Sequence, residues 1–114
     1  MGLLPNTKYD YQTCIDQCNK CAQACYECFN TCLKEPDVHQ RINCLSLLIE
    51  CAKSCQMSAG TMAMDGKLIK DHCKMCAELC NMCAQDCSLF KDDHCTECAK
   101  ICRDCAKECD KMAN

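Results

Sequence analysis

The chain has no tryptophan, only three glycines and two prolines, and Val, Ile, Leu and Phe together supply 17 of its 114 residues, about 15%. Below about 20% a chain normally lacks a continuous apolar core, which points either to disorder or to a staple of another kind. Long apolar runs are missing as well: no stretch approaches the roughly 20 residues that a membrane span needs. The opening MGLLPNTKYD has no apolar run of secretory length, and position 6 is Asn where a myristoylation signal needs Ser or Thr. The expectation is therefore a cytosolic protein. A net charge of −3, from 13 basic residues scattered among 16 acidic ones, excludes a nucleic-acid binder working by bulk electrostatics.

What is abundant is cysteine, at 19 residues. That is about one residue in six, past the roughly 8 to 10% that marks a cysteine-dominated chain. The cysteines are spaced, not scattered. Cys14, Cys18, Cys21, Cys25, Cys28 and Cys32 alternate intervals of 4 and 3, and so do Cys73, Cys76, Cys80, Cys83 and Cys87, then Cys95, Cys98, Cys102, Cys105 and Cys109. Intervals averaging 3.5 put every thiol of a block on one seam of a helix. A sparser block holds Cys44, Cys51 and Cys55, and its register carries Leu48, Ser58 and Met62 onto the same seam.

Turn residues separate the blocks. The expected helices run over roughly 7–34, 38–64, 66–90 and 93–112: Thr7 and Asp10 stand in capping-box relation, Pro36 ends the first helix, Asp37 caps the second, Gly66 follows it, and Asp92 or Asp93 caps the fourth. Short connections make successive helices antiparallel. The fold expected is a single all-α domain, an up-down four-helix bundle over residues 1–114 with cysteine seams turned inward. The column from Cys14 to Cys32 would be about 27 Å long at 1.5 Å per residue. Beside the third seam, Leu68, Met75, Met82 and Leu89 make a heptad-spaced stripe, suited to packing between helices or against another subunit; a methionine metal path is the lesser alternative.

Cysteine is too small to fill a bundle centre to normal density, so a purely apolar role leaves voids that cost stability. Thiols three or four residues apart on one helix point side by side, a poor match to disulfide geometry, and the cytosol keeps thiols reduced. The six CxxC pairs fall inside helices, whereas a redox CxxC sits at a helix N-terminus where the thiol pKa is lowered. Metal remains. Soft thiolates select Cu(I), zinc or iron–sulfur clusters. Zinc takes four ligands per ion, which gives no reason for an unbroken column, and the ferredoxin run is absent. Cu(I) accepts two or three thiolates, thiolates bridge, and each ion that displaces a thiol proton leaves the core neutral.

The segments CNKCAQACYECFNTC, CKMCAELCNMCAQDC and CTECAKICRDCAKEC closely resemble the cytosolic copper storage proteins, a resemblance that covers essentially the whole chain. It implies four-helix bundles filled with many Cu(I) ions per monomer, assembled as homotetramers that hold copper safely in the cytosol. All nineteen cysteines are then metal ligands, and the three-cysteine second helix departs from the pattern at Leu48 and Ser58. A general thiolate buffer for zinc or cadmium, or a thiol redox protein, is the alternative. No catalytic constellation surrounds His39, His72 or His94, so no enzyme activity is expected. Extending the seams puts Tyr11, Met62, Ile69 and Met112 at one end as an apolar plug. Glu35, His39, Arg41, Lys91 and His94 surround Phe90 at the other as a hydrated rim. Copper is expected to enter beside His39 and His94, with Met62 and Met112 the rival entrance.

Overall fold

A computed structural model describes residues 2–114. Four helices follow one another: α1 (Gln12–Cys32), α2 (Ile42–Ala63), α3 (Ile69–Cys87) and α4 (Asp93–Ala113), with a 3-10 turn at Val38–Arg41 leading into α2. Among the described residues there is no strand, and no helix is long and apolar enough to cross a membrane. The principal extents are 50 × 24 × 17 Å.

Sulfur contacts fix the topology. Cys14 at the start of α1 meets Cys109 at the end of α4, while Cys32 at the end of α1 meets Cys95 at the start of α4. Cys44 at the start of α2 likewise meets Cys87 at the end of α3, and Met62 near the end of α2 meets Cys73 near the start of α3. Both pairs therefore run antiparallel, and the bundle is up-down. Each helix buries its cysteine seam together with an alanine or two beside it: Ala22, Ala52, Ala59, Ala77, Ala84, Ala99 and Ala106 all lie in the core. These small flanking side chains let the backbones approach closely enough for the seams to touch.

Helix ends depart from the sequence expectation. α1 begins at Gln12, not near residue 7, and Asp10 accepts the Gln12 N–H at 3.2 Å instead of forming a box with Thr7. The preceding residues are held by tertiary contacts: the Tyr9 hydroxyl donates to the Ala63 carbonyl and the Tyr11 hydroxyl to Asp65, which ties the arm to the end of α2. The left-handed residue after α2 is Asp65 (φ 48°) and not Gly66, where an added Cβ would make a tight approach of 3.3 Å to Thr61. α3 starts at Ile69, after a left-handed Leu68, and stops at Cys87. Asp92 occupies the expected cap position of α4, but α2 begins at Ile42, not near residue 38, with Arg41 at its cap position, so that Asp37 precedes only the 3-10 turn; neither carboxylate bonds the backbone N–H groups of the element it precedes. Both are engaged elsewhere.

Candidate metal centre

All nineteen cysteines are free thiols and all are buried. Their sulfurs make runs of contacts at successive levels of the axis. From the α1 N-terminal end, Cys109 lies 3.6 Å from Cys18, which lies 3.9 Å from Cys105. Cys105 is 3.8 Å from Cys55, and Cys55 is 3.8 Å from Cys80, itself 3.6 Å from Cys51. Cys102 touches both Cys21 and Cys25 at 3.8 Å. At the far end Cys28, Cys32 and Cys95 follow at 3.9 and 3.7 Å, with Cys44 and Cys87 at 3.6 Å. These separations are nearly twice a disulfide bond. They suit shared metal: two sulfurs each about 2.3 Å from one ion stand about 3.8 Å apart at a tetrahedral angle.

The clusters overlap. Cys21, Cys55, Cys80 and Cys105, one thiol from each helix, have their sulfurs within 4.8 Å of one another; so do Cys18, Cys76, Cys105 and Cys109, and again Cys21, Cys25, Cys51 and Cys102. Cys21 and Cys105 each belong to two groups. A metal that requires four private ligands cannot fill neighbouring groups that share a sulfur, whereas an ion satisfied by two or three bridging thiolates can fill them all. The protonation pattern follows the same sharing. Cys102 is held well above the ordinary thiol range by Cys21, Cys25, Cys51 and Cys83 and by burial; Cys25 is raised too, because Cys21, Cys51, Cys83 and burial together outweigh the lowering contact with Cys102; and the hydrogen bonds from Cys102 and Cys25 bring Cys83 down to about 7. Protons in this core belong to groups of thiols, and a soft cation replaces them without leaving buried charge.

On α2 the seam reads as the register dictates: Leu48, Ser58 and Met62 are fully buried, Ser58 donating to the His72 carbonyl at 3.3 Å. Met62 sits over Cys73 at 3.9 Å, and Tyr11, Ile69 and Met112 pack against the core around it, so this end carries the expected plug. At the opposite end His39 and Lys91 are exposed, as a hydrated rim requires, but Arg41 is not part of it. Arg41 is 4% exposed. Its Nη1 donates to the sulfurs of both Cys32 and Cys95 at 3.5 Å, its Nε to Asp37 at 2.7 Å and its Nη2 to Asp92 at 2.6 Å, and its guanidinium lies 4.4 Å over the Phe90 ring. Burial alone would lower its pKa, but Asp37 and Asp92 more than offset this and hold it cationic. The i, i+4 spacing of Asp37 and Arg41 was the available signal; Asp92, 51 positions on, was not readable.

The two histidines at this end differ. His94 is part-buried, with Nε2 3.5 Å from Cys32 Sγ, and it completes a four-donor group with Cys28, Cys32 and Cys95. His39 is exposed on the 3-10 turn. The stripe of Leu68, Met75, Met82 and Leu89 is exposed along α3, so it does not pack between helices of this chain.

A family model described as copper storage protein matches residues 7–114. An uncharacterized cysteine-rich protein, YhjQ of Bacillus subtilis, is 38% identical over 68 residues, 60% of this chain and 63% of that relative, so the match spans less than two thirds of its length. Among solved structures, a Cu(I)-bound copper storage protein, BsCsp3, superposes with a TM-score of 0.88 at 38% identity, covering 92% of this chain and 100% of that one. A cytosolic copper storage protein from Streptomyces lividans carrying five coppers gives a TM-score of 0.87 at 29% identity, covering 90% and 91%.

Proposed function

Because this chain belongs to the copper storage protein family, we propose that it takes up many Cu(I) ions into the axis of its helix bundle and holds them there as cargo. The observation that carries this reading is the overlap of thiol groups, since shared sulfurs favour a chain of bridged two- and three-coordinate ions over isolated four-coordinate ones. All nineteen cysteines are the ligands in this reading. His94 serves as the terminal donor, and the end of the column that it marks, with the exposed His39 outside it, is where copper is received.

The protein acts by sequestration and not by catalysis. Reducing conditions in the cytosol keep its thiols available, and the likeness to a cytosolic copper storage protein supports that compartment. Assembly into a homotetramer is what the family resemblance implies, and the exposed stripe of Leu68, Met75, Met82 and Leu89 supplies an apolar surface for copies to meet.

Anaerobic titration of the reduced protein with Cu(I), against a competing chelator, tests the reading. Saturation on the order of one ion per cysteine is expected where thiolates bridge. Saturation at about four or five ions would instead indicate private tetrahedral sites of the zinc type.

A further inference from the structure

We propose that Leu48 divides the copper store in two: an outer pool beside His94 that exchanges readily, and an inner pool toward Met62 that is held as a reserve. The proposal rests on the storage reading above, with copper received at the His94 end, and concerns how the stored ions are partitioned.

Three helices carry sulfur along the whole core, and α2 does not. Its seam reads Cys44, Leu48, Cys51, Cys55, Ser58 and Met62, all of them buried. Contacts between helices give the level of the gap. Cys44 meets Cys87 at 3.6 Å, and on the other side of Leu48, Cys51 meets Cys80 at 3.6 Å. Leu48 therefore stands level with Cys83, the seam thiol between those two on α3. Cys51 also groups with Cys21, Cys25 and Cys102, which brings Cys98, the next thiol of α4 toward His94, close to the same level. Leu48 is fully buried, so its branched hydrocarbon fills core volume where a fourth sulfur would otherwise sit.

The thiols are bunched on either side of it. Toward Met62, four groups with sulfurs within 4.8 Å overlap in series, sharing Cys109, Cys105 or Cys21 from one to the next. Toward His94 stand the group of Cys28, Cys32, Cys95 and His94 and the pair of Cys44 and Cys87. Two thiols join the sides. Cys98 interacts with Cys25 and Cys102 below the leucine and with Cys28 and Cys87 above it, and Cys83 with Cys51 and Cys102 below and Cys87 above.

Cu(I) moves through such a core by thiolate exchange. An ion gains a bond to a new sulfur and loses one to the old; it stays Cu(I), and the total charge and proton count of the core do not change. Within the overlapping groups sulfur surrounds the ion from four helices. Level with Leu48 one side offers only hydrocarbon, which has no lone pair to bind a metal, and the handover runs across Cys83 and Cys98 alone. That step is the slowest on the way out. Ser58, the other α2 position without sulfur, is small and lies near the closed Met62 end, so few outbound ions cross its level.

The test starts from the reduced full-length protein loaded anaerobically with Cu(I). Excess bathocuproine disulfonate removes the copper, and each ion it takes leaves a thiolate that regains a proton from water. Removal should follow two phases with rates about tenfold apart, a barrier difference of about 1.4 kcal/mol. The fast phase should carry about a third of the copper, the share of thiols on the His94 side at about one ion per sulfur. Alkylation after the fast phase, read by peptide mass mapping, should label Cys28, Cys32, Cys44, Cys87 and Cys95 and spare Cys14, Cys73 and Cys109. Leu48→Cys, which supplies the missing sulfur, should merge the phases and add about one ion. Ser58→Cys should add the ion and keep both phases. A single phase in the unaltered protein, labels spread evenly over both sides, or a slow phase unmoved in Leu48→Cys would each overturn the proposal; if that variant does not fold, the labelling pattern of the unaltered protein decides. Saturation at about four or five ions would count against storage itself, whereas full loading that leaves in one phase defeats only the partition.

Discussion

Arg41 and Asp92 meet at 2.6 Å across the bundle end, one from the turn before α2 and the other from the residue before α4. This pair explains why Asp92 makes no cap bond to α4: its carboxylate is committed to the guanidinium, which also holds it below the usual carboxylate range. Removing one partner of a fully buried pair costs about 3 to 5 kcal/mol. Here Asp37 and Asp92 keep 38% and 29% exposure, so their charges stay partly solvated. Arg41→Ala should therefore destabilise the metal-free protein by about 2 kcal/mol, measured by urea denaturation; an unchanged midpoint would mean that the latch does not hold the end together.

The second prediction concerns order without metal. The helices are set by their alanines, their charged outer faces and the apolar rib of Leu45, Leu48 and Met62 on α2, none of which depends on copper. Circular dichroism of the reduced metal-free protein should show a helical spectrum, unlike a zinc finger, which is unfolded without its ion. Copper should then raise the melting temperature by linkage. A coil spectrum that turns helical only with Cu(I) would contradict this.

The third is a pH profile for the metal-free protein. Burial, and then contact with Cys32, push the Cys95 thiol up to about 12 from the ordinary 9.0, and Cys87 and burial raise Cys44. Such groups hold more protons folded than unfolded. Their contribution is intact below 9.0 and is lost as pH climbs toward about 12. Cys83, lowered to about 7, works the other way: its contribution is complete above 9.0 and is lost as pH falls through about 7. Melting temperature should therefore rise from about pH 7, peak near pH 9 and fall beyond it. In the copper-loaded protein, with metal in place of the protons, the fall above pH 9 should disappear.

The fourth addresses assembly. Met75→Lys with Met82→Lys places two charges in the middle of the exposed α3 stripe and touches no seam residue. Analytical ultracentrifugation should show the assembly of the unaltered protein replaced by monomer, with helicity and copper capacity retained. A monomeric unaltered protein would dismiss the stripe as an interface.

Much of this molecule is written locally. The alternation of 3 and 4 between Cys14 and Cys32 fixes a helix face whatever surrounds it, and so the seams, their burial and the positions of Leu48, Ser58 and Met62 follow from spacing alone. The ends are different, because they depend on residues far apart in the chain. Thr7 looks like a cap until Tyr9 and Tyr11 are seen bonded to the end of α2, 54 positions away. Arg41 looks like a surface charge until Asp92 and Phe90 close over it.

Cys21, Cys55, Cys80 and Cys105 each come from a different helix. An ion shared among them ties together segments that are up to 84 positions apart, as a rivet would. A protease that degrades proteins by threading them from one terminus can pull α4 from an empty bundle against side-chain packing alone. With copper present it must break metal–sulfur bonds to three other helices at once. The loaded protein should thus outlive the empty one in a cell, and the same bonds that retain the metal would set the lifetime of its container.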